Sequence, residues 1–166
     1  MASMESKPTS YKGTMYRSRL EARWAVYLDH HKSISQYVYE PPGWQGYTPD
    51  FLFRLASQEI YMEVKPVQPS TDYLQRLITT VKRARLDYFL LAVGSFYQEV
   101  PILWSMVTGR GCIIPAGQYL SKSPLYSEYA LRSASGYRFD LRNPESGNRR
   151  IKYDYGQGTR KRKRRL

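Results

Sequence analysis

The sequence is poor in residues that build covalent or metal frameworks. It has one cysteine, Cys112, and two histidines, the neighbours His30 and His31. A lone cysteine excludes an internal disulfide framework and fits a reducing compartment. Without paired cysteines or spaced histidines there is no zinc pattern either. Long apolar runs are missing as well: no stretch approaches the roughly 18 residues that a membrane span needs. The opening MASMESKPTS is polar and lacks the apolar core of a secretion signal. These absences predict a soluble, cytoplasmic protein with no membrane partner. Acids are scarce too, with 14 Asp and Glu against 26 Lys and Arg, which leaves a net charge of +12.

Half of that charge sits in one run, Arg160-Lys161-Arg162-Lys163-Arg164-Arg165, which contains no acid. The rest of the chain is therefore basic in its own right. Such a balance favours a polyanionic partner, and nucleic acid is the commonest. The 166 residues suit one domain with a short appendage. Sixteen tyrosines, three tryptophans and five phenylalanines supply ample material for a core.

Periodicity orders the chain. After a loose first dozen residues, Leu20, Trp24, Tyr27 and Leu28 recur at helical spacing in SRLEARWAVYLDHH. Residues 33–40 read as a strand, PPGWQG as a turn, and 47–55 and 59–65 as two strands of a hairpin. Ser70 or Thr71 can cap a second helix with Leu74, Leu77, Ile78 and Val81 on its apolar face. YFLLAV (88–93) is a continuous apolar run, the pattern of a strand buried on both faces. PILWSMV and CIIP can add strands, and SPLYSEYALR begins like a short helix capped by Ser123. From about residue 133 the chain turns polar. The expected fold is α/β, with a mixed sheet between helices. Its expected division is a flexible N-terminus (1–13), one domain (14–132) and a polar, basic C-terminal arm (133–166).

Chemistry gathers around three residues. In a strand, Glu63 and Lys65 of IYMEVKP point to one face, and Met62 and Val64 to the other. Asp50 opens the preceding strand, with 12 residues between it and Glu63. A hairpin would return Glu63 to the neighbourhood of Asp50. Two close carboxylates repel unless a cation separates them, and magnesium takes oxygen ligands from one or two carboxylates plus water and phosphate. Lys65 could then orient or deprotonate a water. An exposed Glu–Lys pair on a surface hairpin is the plain alternative.

Taken together, TPDF, MEVK and the preceding YRSRLE helix resemble the PD-(D/E)XK nuclease superfamily over roughly residues 15–93. The resemblance implies a restriction-endonuclease-like core of helix, three strands, helix and strand. It also implies Mg2+, with Mn2+ as a substitute, bound by Asp50 and Glu63 while Lys65 serves the water. Many members add an acid on the first helix, which here falls on Glu21. Ser18 and Glu21 also fit the S-x-x-E capping box, so both roles stay open for Glu21. Arg17, Arg19 and the basic run 160–165 are the candidate DNA contacts, and Gln75 is a candidate from the second helix. His30, His31 and Cys112 read as structural, and tyrosines between 119 and 155 as stacking or packing residues.

Three branches share features with the chain: junction-resolving endonucleases of phages, phage head-completion proteins with a nuclease-like core, and the nuclease subunits of cut-and-paste transposons. The implied activity is an Mg-dependent DNA endonuclease, phage or mobile-element encoded, acting in the host-cell cytoplasm, with branched DNA as one candidate substrate. A homodimer and recombination partners would fit it. The rival reading is a structural DNA-associated protein of the virion, and a third is an RNA-binding protein with a chance motif.

Overall fold

A computed structural model describes residues 6–86, 88–94, 103–108, 113–115 and 127–139. Along β6 (Tyr88–Val93) alternate side chains enter two separate cores. Leu90 and Ala92 join one, while Phe89, Leu91 and Val93 join the other. That alternation places β6 in the middle of the layers, with helices on both faces. The six-stranded mixed sheet has the order β3-β4-β5-β6-β7-β8, where β3 is Ile34–Tyr39, β4 Phe51–Leu55 and β5 Gln58–Lys65. The remaining strands are β7 (Leu103–Thr108) and β8 (Ile113–Pro115). Neighbours are antiparallel except β5 and β6, which run parallel. Parallel neighbours need a crossover, and α2 (Thr71–Arg83) supplies it.

One face of the sheet is covered by α1 (Arg19–His30), capped by Ser18. Its Trp24, Tyr27 and Leu28 stripe is buried as the spacing predicts, but burial extends over every residue from Glu21 to Leu28. The reason is a second cover. β1 (Thr9–Tyr11) and β2 (Thr14–Tyr16) form a hairpin that contacts α1, turning through Lys12 and Gly13 in the left-handed region. α3 (Glu128–Gly136) also packs against α1. Arg23, 4% exposed, donates to the carbonyls of Ala134 and Ser135 at the end of α3. A buried guanidinium thereby satisfies carbonyls that a helix end leaves without intrahelical partners. On the opposite face, α2 buries Leu77 and Val81 against β6, with Leu74 and Ile78 partly covered. Burying a large apolar side chain of this kind contributes about 2 kcal/mol.

Two expected boundaries shift. A flexible N-terminus over 1–13 is expected, yet Thr9, Ser10 and Tyr11 are buried in β1, because the hairpin lies on α1. A polar arm from residue 133 is expected, yet α3 runs through that boundary to Gly136, and Tyr137 packs edge-on to Tyr11. The helix is capped by Ser127, whose side chain accepts from Ala130 N. The strand expected over 47–55 begins only at Phe51. Cys112, Ser123 and the basic run 160–165 lie outside the described residues. Among the described residues, no helix is long and apolar enough to cross a membrane.

Candidate functional site

The hairpin register brings the two carboxylates together. Phe51 pairs with Met62 across β4 and β5, so one further step sets Asp50 opposite Glu63. Asp50 is 3% exposed, and its Oδ2 accepts from Val64 N at 2.8 Å. Its backbone carbonyl accepts from Glu40 N at 2.9 Å, fixing the residue at the entry to β4. Burial, then the charge of Glu63, pushes the Asp50 carboxyl up to about 7, against the opposing pull of the Val64 N–H.

Strand alternation then separates faces as the sequence predicts. Met62 and Val64 enter the core under α1, while Lys65 Nζ meets Glu63 Oε1 at 2.6 Å. Glu63 is also held by two tyrosines. Tyr47 OH donates to Oε2 at 2.8 Å, and Tyr73 OH, from the first turn of α2, donates to Oε1 at 3.0 Å. Burial and the Glu63 charge hold both phenols above the ordinary tyrosine range, Tyr73 at about 12. They remain proton donors at neutral pH. Burial pulls the Lys65 ammonium down, but the hydrogen bond and charge of Glu63 outweigh it, so its pKa is raised.

Glu21 takes part in the helix start. Its backbone N–H donates to Ser18 Oγ at 3.1 Å, and Ser18 Oγ donates back to Glu21 Oε1 at 2.9 Å. Tyr39 OH donates to Oε2 at 2.5 Å. Burial and that bond raise the Tyr39 phenol to about 12. The capping role of the S-x-x-E pattern is therefore present in altered form, through the serine hydroxyl. Glu21 also lines a pocket of about 440 Å³ together with Lys7, Arg19 and Lys65. The pocket thus carries three cations and one acid at the junction of α1 and the end of β5.

Arg17 ties these parts together. Its Nη2 meets Asp50 Oδ1 at 2.7 Å, its Nε meets Glu40 Oε1 at 2.8 Å, and Glu21 Oε2 lies 3.8 Å away. Among the described residues, no three His, Cys, Asp and Glu side chains stand close enough to hold a metal ion between them. The carboxylates that could offer oxygen ligands to a hard divalent cation are Asp50 and Glu63, and burial first, then the Glu63 charge, raises the Asp50 carboxyl.

Other candidates fall elsewhere. Gln75 is exposed, and the α2 residue that reaches Glu63 is Tyr73. His30 Nδ1 faces the Val26 carbonyl at 2.8 Å, and His31 is buried beside Tyr27. Tyr39, Tyr47 and Tyr73 escape sequence reasoning because tyrosine is an ordinary core residue. The available signals were the place of Tyr47 in GYTPD and of Tyr73 in the first turn after the E-x-K strand. Comparison with protein-family models, curated proteins and solved structures finds no match.

Proposed function

We propose that the chain is a metal-dependent phosphodiester hydrolase of the restriction-endonuclease-like class, and more narrowly a DNA endonuclease. The observation that carries this reading is the register that places buried Asp50 opposite Glu63, with Lys65 on the same strand face. Asp50 and Glu63 would hold Mg2+, or Mn2+ in its place. When bound, such an ion polarises the phosphate and acidifies a water. Tyr47 and Tyr73 fix the orientation of Glu63 from both of its oxygens.

Lys65 keeps its proton, since Glu63 stabilises the charged form. Its role is to orient the attacking water and to offset charge developing on the phosphate, rather than to act as the base. The water oxygen forms the new P–O bond, the bond to one ester oxygen breaks, and that oxygen leaves with a proton. Lys7 and Arg19, on the walls of the adjoining pocket, supply backbone contacts that do not read sequence. The basic run Arg160–Arg165 adds to them, and Glu21 is the acid on the pocket wall.

The test is cleavage of supercoiled, linear, single-stranded and four-way-junction DNA with and without Mg2+. Asp50→Ala, Glu63→Ala and Lys65→Ala should each lose at least about a hundredfold in rate while keeping DNA affinity. Wild-type rates in all three would remove the assignment.

A second reading is a structural DNA-associated protein, such as a virion component. It is favoured by the fact that each oxygen of Asp50 and Glu63 already has a protein partner. Tight DNA binding with no cleavage of any of these substrates would select it.

A further inference from the structure

We propose that Arg17 is the internal counter-ion of Asp50 and passes to a DNA phosphate when a divalent cation takes its place. The inference rests on the metal-dependent reading above and adds to it the order of events at the site. One guanidinium lies within 4 Å of three carboxylates, bonded closely to Asp50 and Glu40 and more distantly to Glu21. A doubly charged ion brought to Asp50 competes for the same oxygen and repels the guanidinium.

The two partners are unequally free to move. The Asp50 side chain is 5% exposed and fixed by Val64 N, whereas the Arg17 side chain is 58% exposed. Arg17 precedes the cap of α1, and its backbone N donates to Tyr39 OH at 3.0 Å. Its Cα therefore stays in place while the side chain swings without opening the core. The next residue, Ser18, lines the 440 Å³ pocket that also holds Lys7, Arg19 and Lys65. A released guanidinium is thus delivered beside an existing cluster of cations, and its planar fork suits a phosphate bidentately. Lys65 makes one contact to Glu63 and lacks this geometry.

The experiment has two readouts, neither of them turnover. Free Mn2+ measured by electron paramagnetic resonance gives the Mn2+ Kd for wild type, Arg17→Gln, Asp50→Asn and Arg19→Gln. Arg17→Gln should tighten Mn2+ binding about tenfold, the worth of one charge-assisted hydrogen bond. Arg19→Gln, which removes the same charge without touching Asp50, should change it less than about twofold. Fluorescence anisotropy of a labelled four-way junction, read at times short against cleavage in the slowed Lys65→Ala background, gives the second readout. There Arg17→Gln should weaken binding about tenfold with Mg2+ and leave it unchanged in chelator.

Asp50-dependent Mn2+ binding of equal strength in wild type and Arg17→Gln would overturn the exchange while sparing the metal site. An equal loss of DNA affinity with and without Mg2+ would overturn it too, marking Arg17 as a fixed contact. If wild type binds no Mn2+ through Asp50, the metal reading and this inference fall together.

Discussion

Asp50 is under opposing demands. Its burial and the nearby Glu63 charge favour the protonated carboxyl, while Arg17 and the Val64 N–H stabilise the carboxylate. With the balance at about 7, against 3.8 for an ordinary aspartate, the folded state holds its proton more tightly than the unfolded chain. In chelator, stability should therefore fall as pH rises from about 4 to about 7 and level off above that. Asp50→Asn removes this term. Urea unfolding at pH 5, 6 and 7 should show the asparagine variant gaining about 2 kcal/mol on wild type across the range. Parallel curves would mean that Arg17 compensates the carboxylate fully. The proximity of Asp50, Glu63 and Lys65 was legible in the sequence because strand alternation and hairpin return are local rules. The tyrosines and the Arg17 contacts were not, since they depend on which face of α2 and which loop meet the sheet end.

The loop between β3 and β4 shows how an element, rather than a residue, sets the site. Trp44 and Tyr47 exchange backbone hydrogen bonds of 3.0 Å around Gln45 and Gly46, both at positive φ. Two left-handed central residues match the turn type whose twist suits a tight hairpin. That turn aims Tyr47 at Glu63 and packs its ring on Trp44 and Phe89. Gly43 permits the closure, because a Cβ there would lie 1.9 Å from the Tyr47 carbonyl oxygen. Gly43→Ala should therefore force the backbone apart, cost about 2 kcal/mol and release Glu63 from Tyr47. Gly46→Ala makes the matching control: it meets nothing within 4 Å and strains only φ, at about 1 kcal/mol. Thermal melts together with cleavage rates separate the two, since only Gly43→Ala should lose rate beyond its loss of stability. Equal effects on rate would detach the turn from the site. PPGWQG reads as a turn from its composition, but the close approach at Gly43 is a tertiary fact.

At the scale of the molecule, fold and charge were legible to different degrees. The order of helices and strands from α1 to β6 follows from periodicity, and the parallel pairing of β5 and β6 follows from the helix between them. The chain ends did not: β1 and α3 close over α1 through Tyr11, Tyr137 and Arg23, contacts that link residues more than 100 positions apart. Such contacts leave no local pattern. Charge, by contrast, is read directly, and it divides evenly between the body and the run Arg160–Arg165. If the run neutralises backbone phosphates, each contact releases counter-ions and steepens the salt dependence by about 0.9. Deleting residues 160–165 should then lower the slope of log affinity against log salt by up to about 5, whatever the DNA sequence. The body should retain a slope of its own, carried by Lys7, Arg17 and Arg19 around the site. The positions of cleavage should not move, because the residues proposed to hold the scissile phosphate all lie between Lys7 and Lys65. An unchanged slope would assign the run to another role and leave DNA binding to the folded body alone.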